Sequence, residues 1–312
     1  MVYNPIKVEL AKLERIVANA EPPGAAPTLW FATTENEPGR DAASAAISGG
    51  ADVVIAAGGD GTVRAVASTL RGSGVPLALL PMGTGNLLAR NLSMPLSNVE
   101  ESVRIAFTGA NRRIDIGVAE ISRPDGIAEE RVFLVMAGLG LDAKMIAKTN
   151  SKLKKAVGWL AYVDAGVRAL PELKPVRLRY SLDGGDEKPM TVHTIIIGNC
   201  GSLPGGILLM PDAKPDDGIL NIAALRPRGP FGWFKVWNKV AWENGVLRRS
   251  AAGRRIIDLT ADVRDVTYLT AADLRVTVET AQEFQLDGDE FGKASAVHTW
   301  VDPGALTVKV PA

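Results

Sequence analysis

Apolar and polar positions change their rhythm partway along the chain. Between Ile6 and Ala20, Val8, Leu10, Leu13, Ile16 and Val17 recur close to a helical period, and Pro22-Pro23-Gly24 ends the run. Short apolar stretches then alternate with helix-like ones. Strands are predicted at Thr28 to Thr33, Asp52 to Ala57 and Val75 to Leu80, with helices from Gly39 to Ile47, Val63 to Leu70 and Leu87 to Leu92. Such alternation predicts a parallel, helix-covered sheet. Beyond Asn111 to Ile116 the texture becomes strand-like, at Arg113 to Glu120, Val132 to Ala137, Val176 to Leu182, Thr191 to Asn199, Leu220 to Leu225, Arg255 to Leu259, Asp273 to Thr280 and Ala294 to Val301. Many strands with few helices predict an antiparallel sandwich or barrel. Helical interruptions are predicted at Ala143 to Lys148, Leu153 to Leu170 and Phe231 to Arg248. The expected fold is α/β plus all-β: a three-layer α/β domain over 1–113, completed by the tail 303–312, and a β-sandwich over 114–302. A chain of 312 residues has room for two cores, since single cores stop growing near roughly 250–300 residues.

Two strand–helix junctions carry glycines. Gly58-Gly59-Asp60-Gly61-Thr62 follows the Asp52 strand, and Pro81-Met82-Gly83-Thr84-Gly85-Asn86 follows the Val75 strand. In an open parallel sheet both turns lie at the C-terminal edge, where ligands bind. Backbone N–H groups at a helix start, with glycines that admit close approach, suit a phosphate. Asp60 would repel a bare phosphate, which implies that a divalent cation or a ribose hydroxyl shares the site. The plainer alternative is a tight turn in which Asp60 caps its own helix. Gly138-Leu139-Gly140-Leu141-Asp142-Ala143 is a third glycine turn, but it lacks the last glycine of a dinucleotide fingerprint.

Charge and cysteine content narrow the partners. Lys plus Arg and Asp plus Glu both total 35, so no overall field favours nucleic acid. Cys200 is the sole cysteine, which excludes an intrachain disulfide, fits a reducing cytoplasm and leaves oxygen as the ligand for any metal. No apolar run approaches the roughly 18 residues of a membrane span. The first strand begins abruptly at Val2-Tyr3, which suggests that the natural chain starts a few residues upstream. A lysine run (Lys144, Lys148, Lys152, Lys154, Lys155) and an aromatic–basic stretch from Phe231 to Arg249 have the composition of surface helices that meet membranes. Solvated or sandwich-packed helices are the alternative.

Two acidic turns supply further chemistry. Pro211-Asp212-Ala213-Lys214-Pro215-Asp216-Asp217-Gly218-Ile219 holds three carboxylates on a Pro/Gly turn, a pattern suited to Mg²⁺ or Ca²⁺. Leu286-Asp287-Gly288-Asp289-Glu290-Phe291 offers carboxylates for proton transfer, although Asp-Gly is also a strong hairpin signal. His193 and His298 lie in strand-like runs without a catalytic neighbour in motif spacing. The Walker A lysine pattern is absent.

In order and spacing these motifs, with the opening Asn4-Pro5 and with Gly198-Asn199, resemble the diacylglycerol kinase catalytic-domain family of soluble lipid kinases, to which sphingosine kinases are related and NAD kinases more distantly. The resemblance implies ATP-dependent phosphorylation of a lipid hydroxyl, diacylglycerol or a related lipid alcohol, in a cleft between the two domains. Motif matching implies that Asn4, Thr33, the turn Gly58, Gly59, Asp60, Gly61, Thr62, Val63, Arg64 and Ala65, and Gly83, Thr84 and Asn86 contact ATP. It further implies that Mg²⁺ is held by the carbonyls of Lys214 and Ile219 and the carboxylate of Asp217. The family usually has Asp-Gly-Glu in the late motif, where this chain has Asp287-Gly288-Asp289. Asp287 is the expected proton acceptor, with Asp289, after a small loop shift, and Glu290 as alternatives. A cytoplasmic protein peripheral to the inner face of the membrane, meeting lipid at its surface and forming a homodimer, completes the expectation. A sphingoid-base kinase, a kinase for a soluble acceptor such as NAD, and an inactive nucleotide-binding protein are the rival readings.

Overall fold

The apolar runs behind the two glycine turns become the buried central strands of the N-terminal sheet, β3 and β4, while its other two strands are only two residues long. In the computed structural model, which describes residues 1–140, 175–203, 207–226 and 266–312, the first elements are β1 (Val2–Tyr3), α1 (Leu10–Ala20), β2 (Phe31–Ala32), α2 (Arg40–Ser48), β3 (Val54–Gly58), α3 (Asp60–Leu70), β4 (Leu77–Pro81), α4 (Leu87–Asn91) and α5 (Val99–Thr108). The strands pair in parallel in the order β4-β3-β1-β2. Ile55, Ala57, Ala78 and Leu80 pack on one face with Leu13 and Val17 of α1 and Val103 and Ala106 of α5. The helix expected from Ile6 starts only at Leu10, because Asn4 to Lys7 forms a turn instead: the Lys7 N–H donates to the Asn4 carbonyl at 3.0 Å. The strand expected over Thr28 to Thr33 shrinks to Phe31–Ala32, matching its two-residue neighbour β1.

The remaining elements are almost all strands: β5 (Ala110–Ser122), β6 (Ala128–Phe133), β7 (Met136–Leu139), β8 (Val176–Leu182), β9 (Lys188–Val192), β10 (Thr194–Gly198), β11 (Ser202–Leu203), β12 (Ile207–Leu208), β13 (Leu220–Leu225), β14 (Val266–Ala271), β15 (Asp273–Leu286) and β16 (Asp289–Val310). Antiparallel pairing runs β14-β13-β10-β7-β15, and β15 also pairs with β8 and β16. Phe133, Ile195, Ile197, Ile222, Leu274, Val276 and Phe284 fill the core. The single run expected at Val132 to Ala137 is broken between Phe133 and Met136. The strand expected at Arg255 to Leu259, and the helices at Ala143 to Lys148, Leu153 to Leu170 and Phe231 to Arg248, lie outside the described residues. No helix among the described residues is long and apolar enough to cross a membrane.

The chain divides into two compact units. One holds Met1–Ile116, Pro215–Gly218 and Asp302–Ala312, and the other Gly117–Lys214 and Ile219–Val301. The first is therefore built from three separate stretches of sequence. The end of β16 adds a parallel strand beside β4, with Val308 opposite Leu77. Arg71 Nε meets Asp302 Oδ2 at 2.6 Å. Sequence patterning had put the short segment Pro215–Gly218 with the sandwich. Buried Asp115 draws it into the first unit, accepting from Gly218 N and Gly304 N at 2.7 Å each while its own N–H donates to the Pro215 carbonyl.

Candidate functional site

Both glycine turns stand at the C-terminal ends of neighbouring strands, Gly58 closing β3 opposite Pro81 closing β4. Their glycines are needed for space rather than for backbone freedom. A Cβ built on Gly58 would lie 2.7 Å from Thr62 Oγ1, and one on Gly83 would lie 2.8 Å from Gly59 Cα. A Cβ on Gly85 would meet Asp60 Oδ2 at 2.5 Å. The turns thus touch backbone to backbone.

Asp60 joins them. Its Oδ2 accepts from Asn86 N at 2.9 Å and its Oδ1 from Leu87 N at 2.6 Å. The carboxylate therefore caps α4, across the sheet edge, and not its own helix α3, whose N-cap is Gly59 without a side-chain bond. This differs from the sequence expectation, in which Asp60 turned toward a bound cation or nucleotide. It also resolves the awkward charge: α4 begins with N–H groups and the positive end of its dipole, which compensate a carboxylate placed there. Asn86, left-handed at φ 47°, is pinned in turn. Its Oδ1 accepts from Gly83 N and its Nδ2 donates to Gly83 O, both at 2.8 Å.

Around this edge, Thr33 is buried, with its N–H on the Tyr3 carbonyl, and Asn4 donates from its N–H to the Ala57 carbonyl at 2.9 Å. Thr62 is buried, Thr84 exposed, and Gly61 and Arg64 half-buried. Val63 and Ala65 face inward. The first turn of any α-helix leaves N–H groups without intrahelical partners. At α3 those groups follow two bare glycines, so the surface fits an anionic oxygen.

In the acidic turn Lys214, Asp217 and Ile219 are all exposed, and Gly218 takes φ 72°. Among the described residues no group of three or more His, Cys, Asp or Glu side chains converges as a metal site. The turn offers instead one carboxylate and main-chain carbonyls around a bend held by Asp115, a donor set of the hard-oxygen kind. Its neighbour Asp216 is occupied by Arg112, at 3.0 and 2.7 Å. Sequence reasoning missed Asp115; the signal was a single acid within an apolar strand pattern, where a buried charge demands partners.

Asp287 and Gly288, at φ 49° and 90°, form the two-residue hairpin turn between β15 and β16, with Leu286 opposite Asp289. Asp287 is only 5% exposed. Its carboxylate accepts from the N–H groups of Leu134 (3.0 Å), Val135 (2.8 Å) and Met136 (3.1 Å), and this is what breaks the strand between β6 and β7. Asp289 and Glu290 are exposed on the outgoing strand. Asn199, also buried, donates from Nδ2 to the Leu134 carbonyl at 3.0 Å and so braces the same bend.

Residues 9–119 match the family described as the diacylglycerol kinase catalytic domain, and residues 135–310 match the YegS C-terminal NAD kinase beta sandwich-like domain. A probable YegS-like lipid kinase of Pseudomonas aeruginosa is 31% identical over 284 residues, 90% of this chain and 83% of that protein. A Mycobacterium tuberculosis diacylglycerol kinase is 34% identical over 179 residues, and that match spans 57% of this chain and only 56% of the relative. The crystal structure of a putative diacylglycerol kinase from Bacillus anthracis shares the fold, with a TM-score of 0.72 at 20% identity over 99% of this chain and 93% of that one. By its two domain matches and its near full-length relative, the chain belongs to the diacylglycerol kinase and YegS-like family of lipid kinases.

Proposed function

We propose that the protein transfers the γ-phosphate of ATP to the hydroxyl of diacylglycerol, giving phosphatidate, or to that of a related lipid alcohol. The observation that carries this reading is the joined pair of glycine turns at the ends of β3 and β4, an anion-binding edge in a kinase family. The turn from Gly58 to Ala65, with Gly83, Thr84 and Asn86, binds the nucleotide, and Thr33 and Asn4 flank it. Phosphoryl transfer asks little covalent chemistry of a protein; it asks for positioning and for charge to balance the phosphate oxygens.

Asp217, with the carbonyls of Lys214 and Ile219, would hold Mg²⁺, which when bound supplies part of that balance. For the acceptor, the carboxylates of the late motif divide their work. Asp287 is buried with its oxygens committed to three backbone N–H groups of the bend between β6 and β7. We assign it to positioning, and assign to exposed Asp289 the role of orienting the lipid hydroxyl and taking its proton late in transfer. The lipid is met at a membrane surface by a peripheral protein of the cytoplasm, and a homodimer is the proposed assembly.

The test is incubation of purified protein with labelled ATP, Mg²⁺ and vesicles carrying diacylglycerol, monoacylglycerol or a sphingoid base, with free NAD as a soluble acceptor. Labelled phosphatidate is the expected product. Label on NAD alone, or no product from any lipid, overturns the reading.

A further inference from the structure

The glycines and helix N–H groups of the phosphate cradle carry only partial charge, Arg64 lies a turn further along α3, and this sequence lacks the lysine of a Walker A loop. We propose that Lys7 supplies a full positive charge there: it is the residue that binds and positions the nucleotide phosphates over the joined glycine turns. The inference rests on the nucleotide reading given above.

The placement follows from the turn that delays α1. Asn4 is tied to the end of β3 through its N–H on the Ala57 carbonyl, one residue before Gly58. Pro5 sets the next φ. Asn4 Oδ1 accepts from Ile6 N at 3.0 Å, and the Lys7 N–H closes the turn on the Asn4 carbonyl at 3.0 Å. Lys7 thus leaves a backbone fixed at two points beside the first glycine turn. Its ammonium lies directly over Gly59: a Cβ built there would stand 2.8 Å from Lys7 Nζ and 3.6 Å from Gly83 Cα. One cation therefore lies beside the point where both turns meet.

Charge bookkeeping supports the same role. Asp60, the acid nearest in sequence to Gly59, directs its two oxygens to Asn86 N and Leu87 N. Among the described residues no carboxylate forms an ion pair with Lys7. Its stem is exposed, so the ammonium can follow a ligand without breaking a packed contact. A compact ammonium on a flexible stem suits phosphate as a point charge.

The experiment is calorimetric titration of the full chain and of Lys7→Gln and Lys7→Arg with Mg-ATP and, separately, with adenosine, accompanied by thermal melting. Lys7→Gln is expected to weaken ATP binding roughly 10- to 100-fold, the loss of one charge-assisted contact. It should leave adenosine binding and melting unchanged and flatten the salt dependence of ATP affinity. Lys7→Arg should recover most of the loss. ATP affinity equal to wild type in Lys7→Gln overturns the assignment, as does a parallel loss of ATP and adenosine binding, which would mark a merely structural lysine. Wild-type protein that binds no ATP overturns the nucleotide reading itself, and the role of Lys7 with it.

Discussion

Three backbone amides on one carboxylate set the character of Asp287, and its neighbour two residues on has a different environment altogether. Replacing Asp287 by Asn turns an NH₂ group toward donors that need an acceptor, which costs about 1–3 kcal/mol. Asp289→Asn lies on an exposed strand start and should change stability by less than about 0.5 kcal/mol. If Asp289 takes the proton, its Asn variant loses roughly 10²- to 10⁴-fold in turnover while melting as wild type does, whereas Asp287→Asn loses stability as well. Chemical denaturation and initial rates on the same samples separate the two. His193 gives a pH prediction. Burial holds its pKa below the ordinary 6.5, so the unfolded chain binds more protons than the folded one between the folded value and 6.5. Stability is complete above pH 6.5 and falls as the pH drops toward the folded value. The melting temperature should decline on that acid side, with a shallower slope in His193→Gln.

At the scale of elements, the weld between the turns is steric and can be opened with one methyl group. Gly83→Ala drives a Cβ against Gly59 Cα, a backbone atom that cannot swing aside. The turns must separate, so ATP affinity should fall at least about tenfold, with a stability loss of about 1–3 kcal/mol from overpacking; titration and melting measure both. Much of this edge was legible in the sequence, because apolar runs followed by glycines and helix formers report strand, turn and helix locally. What the sequence did not reveal depends on long-range partners. That Asp60 caps α4 rather than α3 requires the side-by-side pairing of β3 and β4. The split of the run at Val132 to Ala137 depends on Asp287, 150 or so positions away, at separations of 151 to 153 residues. Helix α5 was missed although its signals are local: Asn98 accepts from Glu101 N at 3.0 Å, an Asn-x-x-Glu capping signature, and Val99, Val103, Ala106 and Phe107 follow at helical spacing.

On the scale of the whole molecule, the first compact unit depends on residues far along the chain. Leu306 and Val308 are fully buried, and without them β4 presents an open edge. Asp115 would also lose its bonds to Gly218 and Gly304. Residues 1–116 expressed alone should therefore lack a cooperative melting transition. Joining 302–312 to them by a flexible Gly/Ser linker should recover part of it, and circular dichroism melting decides between the outcomes.

The junction of Arg71 with Asp302 spans 231 residues of sequence. At a synthesis rate of roughly 5–20 residues per second, that gap represents on the order of 10–50 seconds on the ribosome. During that interval the glycine turns already exist as polypeptide while the strand that flanks β4 does not. The unit that carries the glycine turns is thus the first to be translated and among the last to mature, and a chain cut short by premature termination would carry every glycine of both turns without the strand that flanks them.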